Sequence, residues 1–474
     1  MGLFTAKKGL IRSVQAVVFG AAVVVAPAAK SETLADALVG AYNHSGLLTQ
    51  NRALLRAADE DVAIAAAGLK PVVSWVAQIE QTLGRAQNSR FTGATDADGL
   101  DLTAQLNVSQ LLYDFGSTRF SIEAAKETVL ATRQALISIE QQIFQRAVAA
   151  FFLVIEANEF VTLRQNNVRL LQQELRAAEN RFEVGEVTRT DVALAEAQLA
   201  EARSGLATAQ GNLLIAQEEY RNAVGRGPGR LVPPPSLPQL SGNVPAAKAV
   251  AVRQHPDLRS AQHQVAATEL QILRFEAAKK PTLNATAGVS ALESFDSSNF
   301  GLTGSVGLTA SGTIYQGGSR SATVRAAQAQ RDAARGNLHV VRHNIEQNVG
   351  DSYARLASAR ASLASTDRQI RAARIAFRGV REEATLGART TLDVLDAEQA
   401  LLDAEAARIS AQSQLYTAAY NVLASTGELT ATALQLPVQQ YDPAAYYNLV
   451  KDSPTKQSKQ GAQLDRVLER LQRK

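Results

Sequence analysis

Few residues in this 474-residue chain are placed to do chemistry. Asp393 and Asp396 stand three apart in LDVLD (392–396), on one side of any helix that carries them. Alone, such a pair is a solvated acidic face. His339 and His343 are four apart and could offer two imidazoles to a metal. No third ligand accompanies them, and a surface helix face explains them as well. The stretch GRGPGR (225–230) follows a helical pattern, whereas a phosphate loop follows a strand; it reads as a linker. No serine sits in a nucleophile elbow or a legible triad. The chain has no cysteine, which excludes disulfides, thiolate metal sites and cysteine nucleophiles. The expectation is a protein that is not an enzyme and holds no metal or cofactor. A net charge of +4 gives no reason to expect a nucleic-acid partner.

The chain's ends and periodicities say more. Lys7, Lys8 and Arg12 precede an apolar run at 14–26, and Ala26-Pro27-Ala28 is a small-x-small site. Residues 1–28 therefore read as a secretory signal peptide. Its removal lowers the net charge from +4 to +1. No other stretch approaches the roughly 18 apolar residues of a spanning helix.

The rest is one unit written twice. RFEVGEVTRTD (181–191) and EATLGARTTLD (383–393) break two long heptad patterns at Gly185 and Gly387, 202 residues apart. The same offset relates Tyr113 to Tyr315 and Val192 to Val394. Val154, Val161, Val168, Leu175 and Phe182 recur every seven residues, as do Leu356, Leu363, Ile370 and Phe377. After the first break Val192, Leu199, Leu206, Leu213 and Tyr220 alternate with Ala195, Ala202, Ala209, Ala216 and Ala223. Large and alanine positions at 3–4 spacing form a heptad seam, and the alanines let helix axes approach closely. The helix expected at 117–183 has 67 residues and spans about 100 Å. Those expected at 188–224 and 32–69 are about 55 Å each. Two half-length helices placed end to end therefore match the long one.

Four short segments alternate with period two: 72–84, 100–112, 282–292 and 300–314. In 283–291, for example, Leu283, Ala285, Ala287, Val289 and Ala291 alternate with polar residues and glycine. About ten residues with one apolar face suit a tilted strand crossing a bilayer, although an amphipathic sheet over a soluble core reads alike. Four strands cannot close a membrane barrel, so several chains would have to share one. The division expected is a first repeat at 29–240, a linker at 225–245, a second repeat at 246–427 with helices at 319–383 and 390–425, and a tail at 428–474. The polar end, 451–463, is expected to be mobile.

Taken together, the signal peptide, the duplicated helix–hairpin–helix units, RFEVGEVTRTD and LGARTTLDVLDAEQALLDAEA resemble the TolC family of outer-membrane channel proteins. SETLADALVGAYNHSG (31–46) is similar to the start of the branch serving type I protein secretion. The resemblance implies a mainly α fold with a small β part: long antiparallel coiled-coil helices plus four membrane strands per chain. It implies a homotrimer with a 12-stranded barrel in outer-membrane lipid and a 12-helix periplasmic tunnel. It implies a passive exit channel of a tripartite export system, docking to a periplasmic adaptor (membrane fusion protein) and an inner-membrane ABC or other exporter. Cargo, protein or small molecules, stays open. Val184, Gly185, Glu186, Leu386, Gly387 and Ala388 would form the tip turns where the adaptor docks. Asp393 and Asp396 would form a carboxylate ring at the entrance. Arg389, Thr190 and Asp191 would form a gate lock, with Ala384 standing where the family has a tyrosine. A soluble periplasmic coiled-coil adaptor or scaffold is the alternative.

Overall fold

The computed structural model describes residues 31–86, 95–96, 98–240, 242–296, 298–456 and 458–472. The expected signal peptide (1–28) and most of the loop expected at 89–99 lie outside them.

Each unit is built on one 67-residue helix, α3 (Ser117–Glu183) and α7 (Ser319–Thr385). The lower half of each packs antiparallel against a shorter helix, α4 (Arg189–Val224) on α3 and α8 (Thr391–Ser425) on α7. The alanine row does what its spacing implies: Ala195, Ala202, Ala209, Ala216 and Ala223 are all buried. The upper halves are covered by α1 (Leu34–His44) and α2 (Gly46–Ala67) in the first unit. In the second, α5 (Val244–Gln254) and α6 (Pro256–Ala277) do this.

The single helix expected at 32–69 is thus two. Ser45 is extended, with φ −61° and ψ 110°, and its hydroxyl accepts from Leu48 N to cap α2. The matching break in the second unit falls at His255, because Pro256 forces the residue before it out of helical geometry.

The four strands are β1 (Val72–Thr82), β2 (Gly99–Tyr113), β3 (Thr282–Ser294) and β4 (Phe300–Ser311). They form one antiparallel sheet in the order β1-β2-β3-β4. The register joins the apolar positions across all four. Trp75 faces Leu106, Leu106 faces Val289, and Ala287 faces Val306. Likewise Ile79 faces Leu102, and Ala291 joins Ala104 to Leu302. The opposite face carries Ser74, Gln78, Asn107, Thr103, Ser290 and Ser305. Val72, Val76, Leu111 and Leu292 are exceptions on that polar face. The long outer edges of β1 and β4 have no partner strand among the described residues.

The largest core lies at the waist, where α1, α3, α4 and α8 meet around Phe144, Phe151, Phe152 and Tyr220. Leu231 and Leu240 of the linker and Leu429, Ala431 and Leu436 of the tail seal it. Glu32 is clamped there by Tyr220 Oη (2.7 Å), Arg226 Nη2 (2.7 Å) and Gly229 N (2.9 Å).

From the waist the tail follows α2. Tyr446 donates to Glu60 at 2.7 Å, and the Lys70 ammonium reaches the Ser453 carbonyl at 2.6 Å. Contrary to the mobile end expected at 451–463, a helix α10 (Lys459–Gln472) sets Leu464 and Leu468 against Tyr446 and Val450 of α9 (Pro443–Val450). Its apolar residues recur at i and i+4, a stripe that the run of lysines and glutamines before it obscures.

Gly225 closes α4 with φ +87°, and a Cβ there would strike the His44 ring. Gly225→Ala is expected to destabilise the waist by at least the ~1–3 kcal/mol of such backbone strain, read as a lower thermal midpoint.

Candidate functional site at the hairpin tips

The two hairpin turns share one backbone design. In the first, Val184 caps the C-terminus of α3, and Gly185 takes the left-handed conformation at φ +83°. Gly185 N donates to Phe182 O and Glu186 N to Arg181 O, both at 2.9 Å, which closes the last carbonyls of the helix. In the second, Gly387 has φ +78°, Gly387 N donates to Ala384 O at 3.1 Å, and Ala388 N to Glu383 O at 2.9 Å. Nothing lies within 4 Å of a Cβ built on either glycine, so the backbone conformation alone selects it.

A capping box then restarts each chain as a helix. Thr188 Oγ1 donates to Asp191 Oδ2 at 2.7 Å, and Asp191 N donates back to Thr188 Oγ1 at 3.4 Å. Thr390 Oγ1 and Asp393 repeat this at 2.8 and 3.2 Å. Asp191 and Asp393 are therefore cap residues whatever else they do. The Thr188 hydroxyl and amide hold Asp191 below the usual carboxylate range. The Thr390 amide, then its hydroxyl, do the same for Asp393. A depressed carboxylate supports the fold above its ordinary pKa, 3.8 here, and loses that support as pH falls through its lowered value. The caps thus hold at neutral and mildly acid pH. Thr188 and Thr390 went unremarked in the sequence, although T-x-x-D after a glycine break is the signature of such a cap.

The remaining expected residues are spread over the tip. Val184 and Leu386 are exposed apolar side chains, and Glu186 and Ala388 are exposed beside them. Asp396 is exposed, one turn along α8 from Asp393. Arg389 Nε donates to Glu383 Oε2 at 2.9 Å, within its own turn. Within one chain the structure does not join Arg389 to Thr190 or Asp191; Thr190 is exposed, and Asp191 is engaged by Thr188.

Higher up lies a group that the sequence analysis passed over. Glu398 of α8 is buried against Asn167 of α3, while Arg381 of α7 reaches Glu174 of α3. The signal was legible: Glu398 interrupts an apolar row between Leu395 and Leu402.

A sheet with one apolar face and outer edges unpaired among the described residues, from which long hairpins reach to matched capped turns, is the architecture that the relatives must share. The chain matches the model of the outer membrane efflux protein family over residues 39–226 and 249–428, and it belongs to that family. It is 35% identical to the outer membrane efflux protein BepC of Brucella suis, over 95% of this chain and 97% of BepC. It is 24% identical to the alkaline protease secretion protein AprF of Pseudomonas aeruginosa, over 70% of each chain. Its fold matches the CmeC outer membrane channel of Campylobacter jejuni with a TM-score of 0.74, at 15% identity, over 89% of this chain and 90% of CmeC. The protein is thus an export channel of the Gram-negative outer membrane reaching into the periplasm, not a soluble adaptor or scaffold.

Thr390→Ala removes one cap and is expected to cost about 1 kcal/mol, seen as faster amide exchange confined to the first turn of α8.

Proposed function

We propose that three copies of this chain close into one barrel and one tunnel, forming the passive exit duct of a tripartite exporter. One observation supports this above others: the internal repeat is satisfied only half-way inside the chain. Within it α8 packs on α3, with Leu395 seated among Leu171, Leu199 and Ala202. The repeat-equivalent faces, on α4 and α7, are left open. On α4 the stripe Ala193, Ala197, Ala200, Ser204 and Ala207 is exposed, and Leu214 and Ile215 beyond it are 64% and 67% exposed. On α7, Ser362, Ser365, Gln369, Ala372 and Ala376 are exposed.

Small residues on both sides fit a close helix pair. Exposed Glu196 and Glu201 on α4 complement exposed Arg368 and Arg371 on α7. The sheet repeats the pattern: β2 pairs with β3 inside the chain, leaving β4 to meet β1 of the next copy. Such head-to-tail contacts close into a ring. Three copies supply twelve strands, within the size range of membrane barrels. The apolar face then meets lipid. Tyr113, Phe115 and Tyr315 at the helix side, and Phe295 and Phe300 at the far side, are placed as interfacial girdles.

The tip turns, with Val184 and Leu386 bare, form the surface for a periplasmic adaptor, which couples the duct to an inner-membrane pump. Asp393 and Asp396 from three copies gather six carboxylates where the tunnel narrows and favour cations there. Arg389, free to exchange Glu383 for Thr190 or Asp191 of a neighbouring copy, forms a breakable lock of surface strength. Among the relatives, BepC is named for efflux and AprF for protease secretion. The start of the chain favours protein cargo here.

Ala200→Trp should abolish detergent-stable trimers on unheated gels while leaving the helical circular dichroism unchanged; intact trimers would exclude α4 from the interface. Arg389→Ser should raise single-channel conductance in planar bilayers, and an unchanged value would remove Arg389 from the lock.

A further inference from the structure

The two hairpins of one chain meet above the tip around an unusual buried group. Glu398 of α8 is 4% exposed. Its Oε1 accepts from Asn167 Nδ2 of α3 at 2.9 Å, and its Oε2 is buried and meets no donor. Glu174 stands two turns along α3 from Asn167. Its Oε1 is also buried and makes no well-aligned hydrogen bond, although the Arg381 guanidinium of α7 is 3.0 Å away. The α4 residues beside this group, Leu199 and Ala202, carry no charge, and Leu171 and Leu395 complete an apolar surround. Two carboxylates facing one guanidinium leave a surplus negative charge in a place that disfavours it.

We propose that buried Glu398 is held protonated in the packed state, and that this proton latches α8 of the second hairpin to α3 of the first. With the proton on Glu398 Oε2, the buried acid carries no charge, Asn167 still donates to its Oε1, and Glu174 alone balances Arg381. The proton comes from solvent and returns to it. Without it, an unpaired carboxylate is buried between the hairpins.

Burial, and after it Glu174, push the Glu398 carboxyl up to about 7, while Asn167 and Arg381 pull it down. A raised carboxylate binds its proton more tightly in the packed state than in the opened one. The latch is therefore complete below the ordinary value, 4.5, weakens as pH rises, and is gone above about 7. It is also written only once. The repeat counterparts of Glu398, Asn167, Glu174 and Arg381 are Glu196, Gln369, Ala376 and Glu179. With Ala376 in place of Glu174 and Glu179 in place of Arg381, the face proposed to meet a neighbouring copy has no such device.

Infrared titration of the detergent-solubilised wild type and Glu398→Gln tests the latch directly. Buried Asp59, pushed up to about 6, and Glu140 and Glu159, also raised by burial, add their own bands. The test is therefore the component lost in the variant: a protonated carboxyl band fading with a midpoint near 7 should be present in the wild type and missing from the variant. Its absence from the wild type, or its persistence in the variant, would overturn the assignment. Conductance, which rests on the channel reading above, gives a second arm. Wild-type conductance should be about twofold or more higher at about pH 8 than at about pH 5, a loosening that follows proton loss. Glu398→Gln, whose amide is uncharged at any pH, should stay at the low value throughout. A variant that keeps the wild-type pH response would refute the latch. Failure to conduct at all would strike the channel reading and leave the infrared result standing.

Discussion

Hydrocarbon leaves no backbone amide unanswered, and that constraint governs this molecule. An α-helix satisfies its own amides, but a strand must borrow from a neighbour. Four strands in a row answer one another internally and leave β1 and β4 each with a bare outer side. In water such edges are a hazard; in lipid they are untenable. The apolar face that the register assembles, from Trp75 through Leu106 and Val289 to Val306, would meet lipid in the proposed barrel. In the proposed ring further copies answer these edges, and the open faces of α4 and α7 below meet the same copies.

Stability is distributed unevenly along the rod. At the waist, aromatic side chains from three long helices interlock with α1, the linker and the tail, and this is where Phe144, Phe151 and Tyr220 are sealed from water. Towards the tip the contacts thin to alanine rows, single leucines such as Leu395, and a few polar ties. Large apolar burial near the middle and small burial at the far end give a shaft that is stiff where it is clasped and softer towards the tip. The tail contributes to the stiff part, since Tyr446 and Lys70 tie it to α2 as it runs beside that helix.

Much of this was legible in the residues. Seven-residue spacing marked the long helices, two-residue alternation marked the strands, and matching glycines marked both turns. The period-two face survived because most register pairs in the middle of the sheet join like with like, as Trp75 with Leu106, Leu106 with Val289 and Ser74 with Asn107. What escaped was local chemistry overriding periodicity. Ser45 breaks a helix that the apolar pattern carries straight through, because its hydroxyl caps the next one. Thr188 and Thr390 were hidden behind the more conspicuous glycines. Glu398 and Asn167 became meaningful only when α8 was laid across α3, a contact between residues 231 positions apart. No window along the chain contains that pair.

The two turns at the tip are alike in backbone and unlike in side chain. Between glycine and capping threonine, one presents Glu186 and Val187, the other Ala388 and Arg389. In the proposed ring of three chains these would alternate, giving the rim sixfold geometry but only threefold chemistry. A docking protein with six equivalent arms would have to grip what all six stations share, the left-handed glycine and the peptide groups around it. One with three arms could instead distinguish acidic stations from basic ones, and would fit in only one of two rotational settings.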